Sequence, residues 1–282
     1  MGMCVFCGKP AGFLHRQHKA CAQRHAAGRD QISGLFAGAL SSPDAPDAIK
    51  VKAKQVATES FVADQELKSL AITGWSVAVE HCLDGVGIDA ATETKLVQLE
   101  KAFELTQADL DVDGSYSRVA KAVLLRDISA GKMPQRVTIS GPIQINLQKN
   151  ERIIWLFNGA QLLEDKTVRQ YVGGSSGISV RVAKGFYVRS GAFRGHSVAH
   201  TERVLVDSGQ VFVTDKNIYF VGPRKSVRIP YQKIVSFQPF SDGIGLIRDT
   251  ANAKCQVLKT GDGWFTFNLV TSLSHFESKN SV

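Results

Sequence analysis

Long apolar runs are missing from the 282 residues. No stretch approaches the ~20 consecutive apolar residues of a membrane-spanning helix, which excludes that class. The opening Met-Gly-Met-Cys-Val-Phe-Cys has neither the basic start nor the apolar core of a secretory signal. Phe6 also stands where a myristoylation signal wants Ser or Thr, so the expectation is a cytoplasmic chain. Phosphate-cradling motifs are absent too: there is no Gly-x4-Gly-Lys-[Ser/Thr], and no Gly-x-Gly-x-x-Gly after a strand. The His-x-Glu…Cys-x-x-Cys signature of zinc deaminases is also missing. Gly173-x-Ser175-x-Gly177 has the letters of a hydrolase nucleophile elbow, but that motif needs a strand before the serine and a helix after it. Here Ile178-Ser-Val-Arg-Val follows as an alternating strand, so the Gly/Ser run reads as a loop, with His196 and His200 in another loop-like stretch. No catalytic residue is assigned, and the expectation is a protein that is not an enzyme.

What is present is an ordinary globular composition, 44% hydrophobic and 21% charged, which argues against extensive disorder. The net charge of +8 is uneven: residues 1–42 carry +4, 43–132 carry −5 and 133–282 carry +9. Unlike charge in consecutive segments suggests separate domains with separate partners, here 1–42, 43–132 and 133–282. The expected class is α+β and multidomain.

Three of the five cysteines lie in the first 21 residues, as Cys4-x2-Cys7 and His18-x2-Cys21. Gly8 follows the second cysteine, where a tight knuckle can turn backbone amides toward thiolates. Two thiolates from a turn and two ligands from a helix start make a closed tetrahedral site for structural Zn2+. A segment this short cannot bury enough apolar surface to fold alone, and metal binding supplies the deficit. The reading is a zinc ribbon held by Cys4, Cys7, His18 and Cys21, with His15 and His25 as competitors for the histidine place. Cys82 and Cys255 read as core thiols.

From Lys19 to Leu40 the apolar spacing is helical, and Ser41–Asp47 reads as a linker or helix start. Helices are expected over about 64–83, from Asp89 through Phe103, as a short turn capped by Thr106, and over about 115–130. Leu83-Asp-Gly, then Ile88, an acidic helix start and Glu104-Leu-Thr-x-x-Asp-Leu110 resemble the tellurite-resistance B-like (TerB-like) helical domains over roughly 60 residues. Asp109-x-Asp111-x-Asp113-Gly114 matches the first half of a calcium loop, but position twelve is Ala120 where a bidentate Glu is needed. These acids are better read as caps of the next helix.

From Val137 the period changes to two. Strands are expected at 143–147, 153–162, 178–183, 185–190, 204–206, 211–214, 218–221, 226–229, 234–239, 243–248, 255–258 and 264–268, with a short helix over 269–276. The hairpin Val211-Phe-Val-Thr-Asp-Lys-Asn-Ile-Tyr-Phe-Val221, then Ile229-Pro-Tyr-x-x-Ile234, resembles the GRAM and bacterial pleckstrin-homology (PH-like) families. The resemblance implies an antiparallel β PH-like barrel with a terminal helix, acting as an adaptor for proteins, peptides or lipid headgroups. Arg224, Lys225 and Arg228 cluster after this hairpin as a candidate ligand-binding patch. Arg181, Lys184, Arg189 and Arg194 surround a second turn and offer another.

Two functions follow. The first is a non-enzymatic adaptor that binds a protein partner, or the anionic lipid of a membrane surface. Its ribbon, helices and barrel together resemble bacterial proteins associated with stress or phage defence. The alternative is nucleic-acid binding by the zinc ribbon through Arg16, Lys19, Arg24 and Arg29. That reading lacks aromatic residues interleaved with the basic ones, and the acidic middle would repel DNA.

Overall fold

Helical spacing dominates the first half of the chain and two-residue alternation the second, and the computed structural model follows that division in two units, Met1–Asp127 and Ile128–Val282. It describes residues 2–12, 15–42, 44–84, 87–139, 143–183, 186–250 and 254–280, with side chains for all of these except 167–201 and 278–280.

In the first unit β1 (Gly2–Met3) pairs antiparallel with β2 (Pro10–Gly12). Six helices follow: α1 (Lys19–Ala37), α2 (Pro46–Glu59), α3 (Asp64–Asp84), α4 (Ala90–Ala102), α5 (Gln107–Leu110) and α6 (Ser115–Ser129). Their starts have local chemical causes. Pro46 occupies the first turn of α2, where its missing N–H costs nothing. Asp89 accepts the Thr92 amide at 2.7 Å, and Thr106 and Asp109 form a reciprocal capping box. The apolar stripes meet in one core that includes Ile32, Phe36, Ile49, Leu67, Trp75, Leu96, Leu99 and Leu110, with Cys82 packed against it. Gly74 lets α3 approach α1 closely, because a Cβ there would lie 2.2 Å from Cβ of Phe36.

The second unit is a seven-stranded antiparallel sheet with one C-terminal helix. Its strands are β3 (Ile153–Ala183), β4 (Phe186–Thr214), β5 (Asn217–Val221), β6 (Ser226–Pro230), β7 (Ile234–Phe240), β8 (Gly243–Arg248) and β9 (Gln256–Lys259). They lie in the order β6-β5-β4-β3-β9-β8-β7. No ladder joins β6 to β7 among the described residues, so the observed element is an open sheet where a barrel was expected. The helix α7 (Gly263–Asn280) packs on β7 and β8, and Phe265 sets its ring edge-on to Trp155 of β3 at 4.9 Å. Phe220, Ile154, Leu162, Leu246, Leu258, Phe265 and Leu273 are fully buried in this unit. No helix among the described residues is long and apolar enough to cross a membrane.

Three expectations are corrected. Residues 143–147 form no strand, because no neighbouring strand offers them a ladder; Ile145 instead packs against Ile153, Phe212 and Tyr219. Residues 264–268 are the first turns of α7. The Gly/Ser loop and the separate strands around it merge into β3 and β4, whose register pairs Gly173 with Gly195 and Gly177 with Gly191. Ser175 therefore lies mid-strand, and His196 and His200 lie in β4.

Candidate metal centre

A two-stranded hairpin and the start of α1 bring four donors together. The Gly8 amide donates to the Cys4 carbonyl at 2.9 Å with Gly8 at φ +66°, a left-handed turn that glycine adopts without strain. The Val5 amide donates to the Arg16 carbonyl at 2.9 Å and draws the second limb alongside the first. His18 is the N-cap of α1 in an extended conformation and makes no side-chain cap to the helix, while Cys21 follows in its first turn.

The ligand atoms of Cys4, Cys7, His18 and Cys21 all lie within 4.8 Å of one another. Nδ1 of His18 is 3.4 Å from Sγ of Cys7 and 3.7 Å from Sγ of Cys21. A tetrahedral ion with bonds of about 2.3 Å to sulfur and about 2.05 Å to nitrogen would set S···N near ~3.6 Å. The donors thus already stand at coordination spacing. Nε2 of His18 lies 3.0 Å from the Pro10 carbonyl, so that nitrogen carries the proton and donates it. This leaves the Nδ1 lone pair facing the sulfurs, the orientation a metal-ligating histidine needs.

The electrostatics agree. Burial pushes the Cys4 thiol up, but bonds from the amides of Cys7, His18 and Phe6 outweigh it and bring the pKa down to about 6. Cys21 is pushed up to about 11 by burial and by the neighbouring Cys7 and Cys4. His18 is raised, first by the Pro10 carbonyl and then by Cys7. Three thiolates this close repel one another, and a divalent cation among them removes that penalty. The cluster can hold a metal ion.

The competing histidines stand apart from this set. Nε2 of His25 is 2.9 Å from a Glu66 carboxylate oxygen, and its ring lies 4.7 Å from that of Phe6. Phe6, in the spacer between the first two cysteines, therefore anchors the hairpin on the helices; an apolar residue in so short a loop was the signal for it. Cys82 and Cys255 lie in the two cores.

Arg224, Lys225 and Arg228 are exposed, and the first two share a tight loop between β5 and β6. Asp207, 2% exposed, builds that loop by accepting the amides of Arg224 at 2.7 Å and Lys225 at 2.8 Å. Burial raises the Asp207 pKa, yet these bonds win and lower it. The guanidinium of Arg224 also reaches Asp207 at 3.4 Å and the Val206 carbonyl at 3.0 Å. The second basic turn involves residues 184–185 and side chains within 167–201, which lie outside the described residues.

The calcium-like loop spends its carboxylates on the chain itself. Asp109 accepts from Thr106, Asp111 from the amide and hydroxyl of Ser117 at 2.9 and 2.8 Å, and Asp113 from the Ser115 amide at 3.0 Å. Bonds from Thr106 and Lys68 hold the Asp109 carboxyl down to about 2. No family model matches the chain, and no curated protein or solved structure does either.

Proposed function

We propose that the chain is a non-enzymatic adaptor in which a structural zinc ribbon and a PH-like module present binding surfaces. The observation that carries this reading is the donor set of Cys4, Cys7, His18 and Cys21 within 4.8 Å. Three sulfurs and one imidazole nitrogen are the ligands of structural zinc, and four protein ligands leave no open position for a substrate. Bound there, zinc would supply cross-linking and charge neutralisation. Cys4 and Cys7 would hold it from the hairpin, His18 and Cys21 from α1.

The PH-like reading is supported by seven antiparallel strands followed by one C-terminal helix, the layout the sequence resemblance implies. The TerB-like reading is supported by α3 ending at Asp84 and by the capped turn at Thr106. The partner is a protein or the anionic headgroups of a lipid surface, met by Arg224, Lys225 and Arg228. Nucleic-acid binding by the ribbon is disfavoured because its cations are partly engaged. Arg29 pairs with Glu66 at 3.0 Å, and the Arg24 guanidinium lies 6.0 Å from the Phe61 ring centre.

Metal analysis of the purified chain should find one equivalent of zinc, lost in Cys4→Ser or Cys21→Ser; a metal-free wild type would overturn the ribbon. Charge reversal at Arg224 and Lys225 should weaken capture of the native partner, or of phosphatidylserine vesicles, with the thermal transition unchanged. Undiminished capture of both would remove the patch.

A further inference from the structure

We propose that Cys7 and Cys21 are a peroxide-oxidisable pair whose disulfide expels the metal yet still ties the hairpin to α1. Expulsion of the ion rests on the zinc reading above; the disulfide rests on sulfur placement alone.

The three sulfurs of the cluster are not equivalent. Cys4 is 2% exposed, and its Sγ accepts the backbone amide of His18 at 3.4 Å. Cys7 and Cys21 are only half-buried, so solvent reaches both residues. Gly8, beside Cys7, is exposed, and a Cβ there would meet nothing within 4 Å, so no side chain closes over that turn. The Sγ atoms of Cys7 and Cys21 flank one nitrogen, Nδ1 of His18, at 3.4 and 3.7 Å. They lie within 4.8 Å of each other. Departure of the ion frees both side chains to close that gap to the ~2.05 Å of an S–S bond.

A thiolate is the nucleophile toward peroxide, and an accessible cysteine beside a second one is the arrangement that ends as a disulfide. The Cys7 sulfur attacks one oxygen of hydrogen peroxide. The O–O bond breaks, a sulfenic S–OH forms, and the departing hydroxide takes a proton to become water. The Cys21 sulfur then attacks the sulfenic sulfur. The S–S bond forms, the S–O bond breaks, and this hydroxide also leaves as water with a proton from solvent. Two thiolates are oxidised by two electrons in total, and one peroxide is reduced to two waters. Cys4 and His18 alone do not complete a tetrahedral site, so the ion leaves.

The choice of pair decides what becomes of the hairpin. Cys7 lies between β1 and β2, and Cys21 lies in the first turn of α1. Their bond spans the two elements that the ion joins, whereas a bond between Cys4 and Cys7 would stay within the hairpin and leave α1 untied. Oxidation thus exchanges a metal tether for a covalent one. Only the reduced, metal-free chain lacks both.

The test treats the zinc-loaded full chain with a small molar excess of hydrogen peroxide and follows released zinc and free thiols. The linkage is mapped by mass spectrometry after digestion with trypsin and chymotrypsin, since cleavage after Phe6 separates Cys4 from Cys7. The expected result is loss of one zinc and two thiols per chain, a Cys7–Cys21 linkage, and reversal of all three by a reductant with zinc present. Cys82→Ala together with Cys255→Ala should change none of this, because both thiols lie in the two cores. Retention of all five thiols under peroxide overturns the proposal, as does a linkage through Cys4 or formation of the disulfide with the zinc still bound. A wild type purified without metal would count against the zinc reading alone, and its thiol count and linkage would still decide the pair.

Discussion

A carboxylate taken out of water costs several kcal/mol unless donors replace the water it loses. Glu151 is 6% exposed and accepts from Thr214 at 2.5 Å, Asn217 at 2.7 Å, Tyr219 at 2.8 Å and the Gln148 amide at 2.7 Å. Burial alone would raise its pKa, but these four donors outweigh burial and depress it, while the same carboxylate helps burial push Tyr219 up to about 12. A depressed carboxyl stabilises the fold above its unfolded pKa, and that stability disappears as pH falls through the lower folded value. The second unit should therefore lose stability on acidification below about pH 4.3, the usual Glu value. In urea melts at pH 7, 5, 4 and 3, Glu151→Gln should be less stable than wild type at pH 7 and flatter toward acid; parallel curves would contradict the account. Glu151 has no local signature, because its partners Thr214, Asn217 and Tyr219 lie more than sixty residues away. The metal ligands were legible, since two Cys/His pairs carry their chemistry in local spacing.

Among the elements, β8 has its expected bounds, Gly243–Arg248, because a short alternating run sits between clear turns. The start of α7 was misread for the opposite reason. Trp-Phe-Thr-Phe-Asn favours strands by composition, but Gly261 at φ +85° turns the chain and Asp262 caps the helix by accepting the Phe265 amide at 3.0 Å. Burial of Phe265, Leu269, Val270 and Leu273 then settles the helical period. Asp262→Ala should cost about 1 kcal/mol of stability in chemical denaturation. Asp262→Asn, which retains a capping oxygen, should recover most of it, and equal loss in both variants would place the effect elsewhere. The Gly/Ser run has the composition of a loop, yet in β3 it pairs with glycines of β4, Gly173 with Gly195 and Gly177 with Gly191.

At the scale of the whole molecule, the two units keep separate cores, and the metal cluster belongs to the first. Its donors tie a hairpin to the start of α1, and Phe6 continues the tie to His25 and to Phe61 at 6.3 Å. Binding energy for an ion that the unfolded chain holds weakly is stability of the unit that holds it. Chelation should accordingly lower the melting temperature of Met1–Asp127 and leave that of Ile128–Val282 unchanged. Trp75, buried against the first core, separates the two events. With Trp155→Phe and Trp264→Phe it is the sole tryptophan and reports only the first unit, while calorimetry follows both. An equal downward shift of both transitions would mean that the cluster supports more than its own unit. No shift in the Trp75 signal would mean that the helices carry the unit without the metal. The Cys4→Ser chain should melt like the chelated wild type and be insensitive to added chelator, which separates loss of the ion from any effect of the reagent.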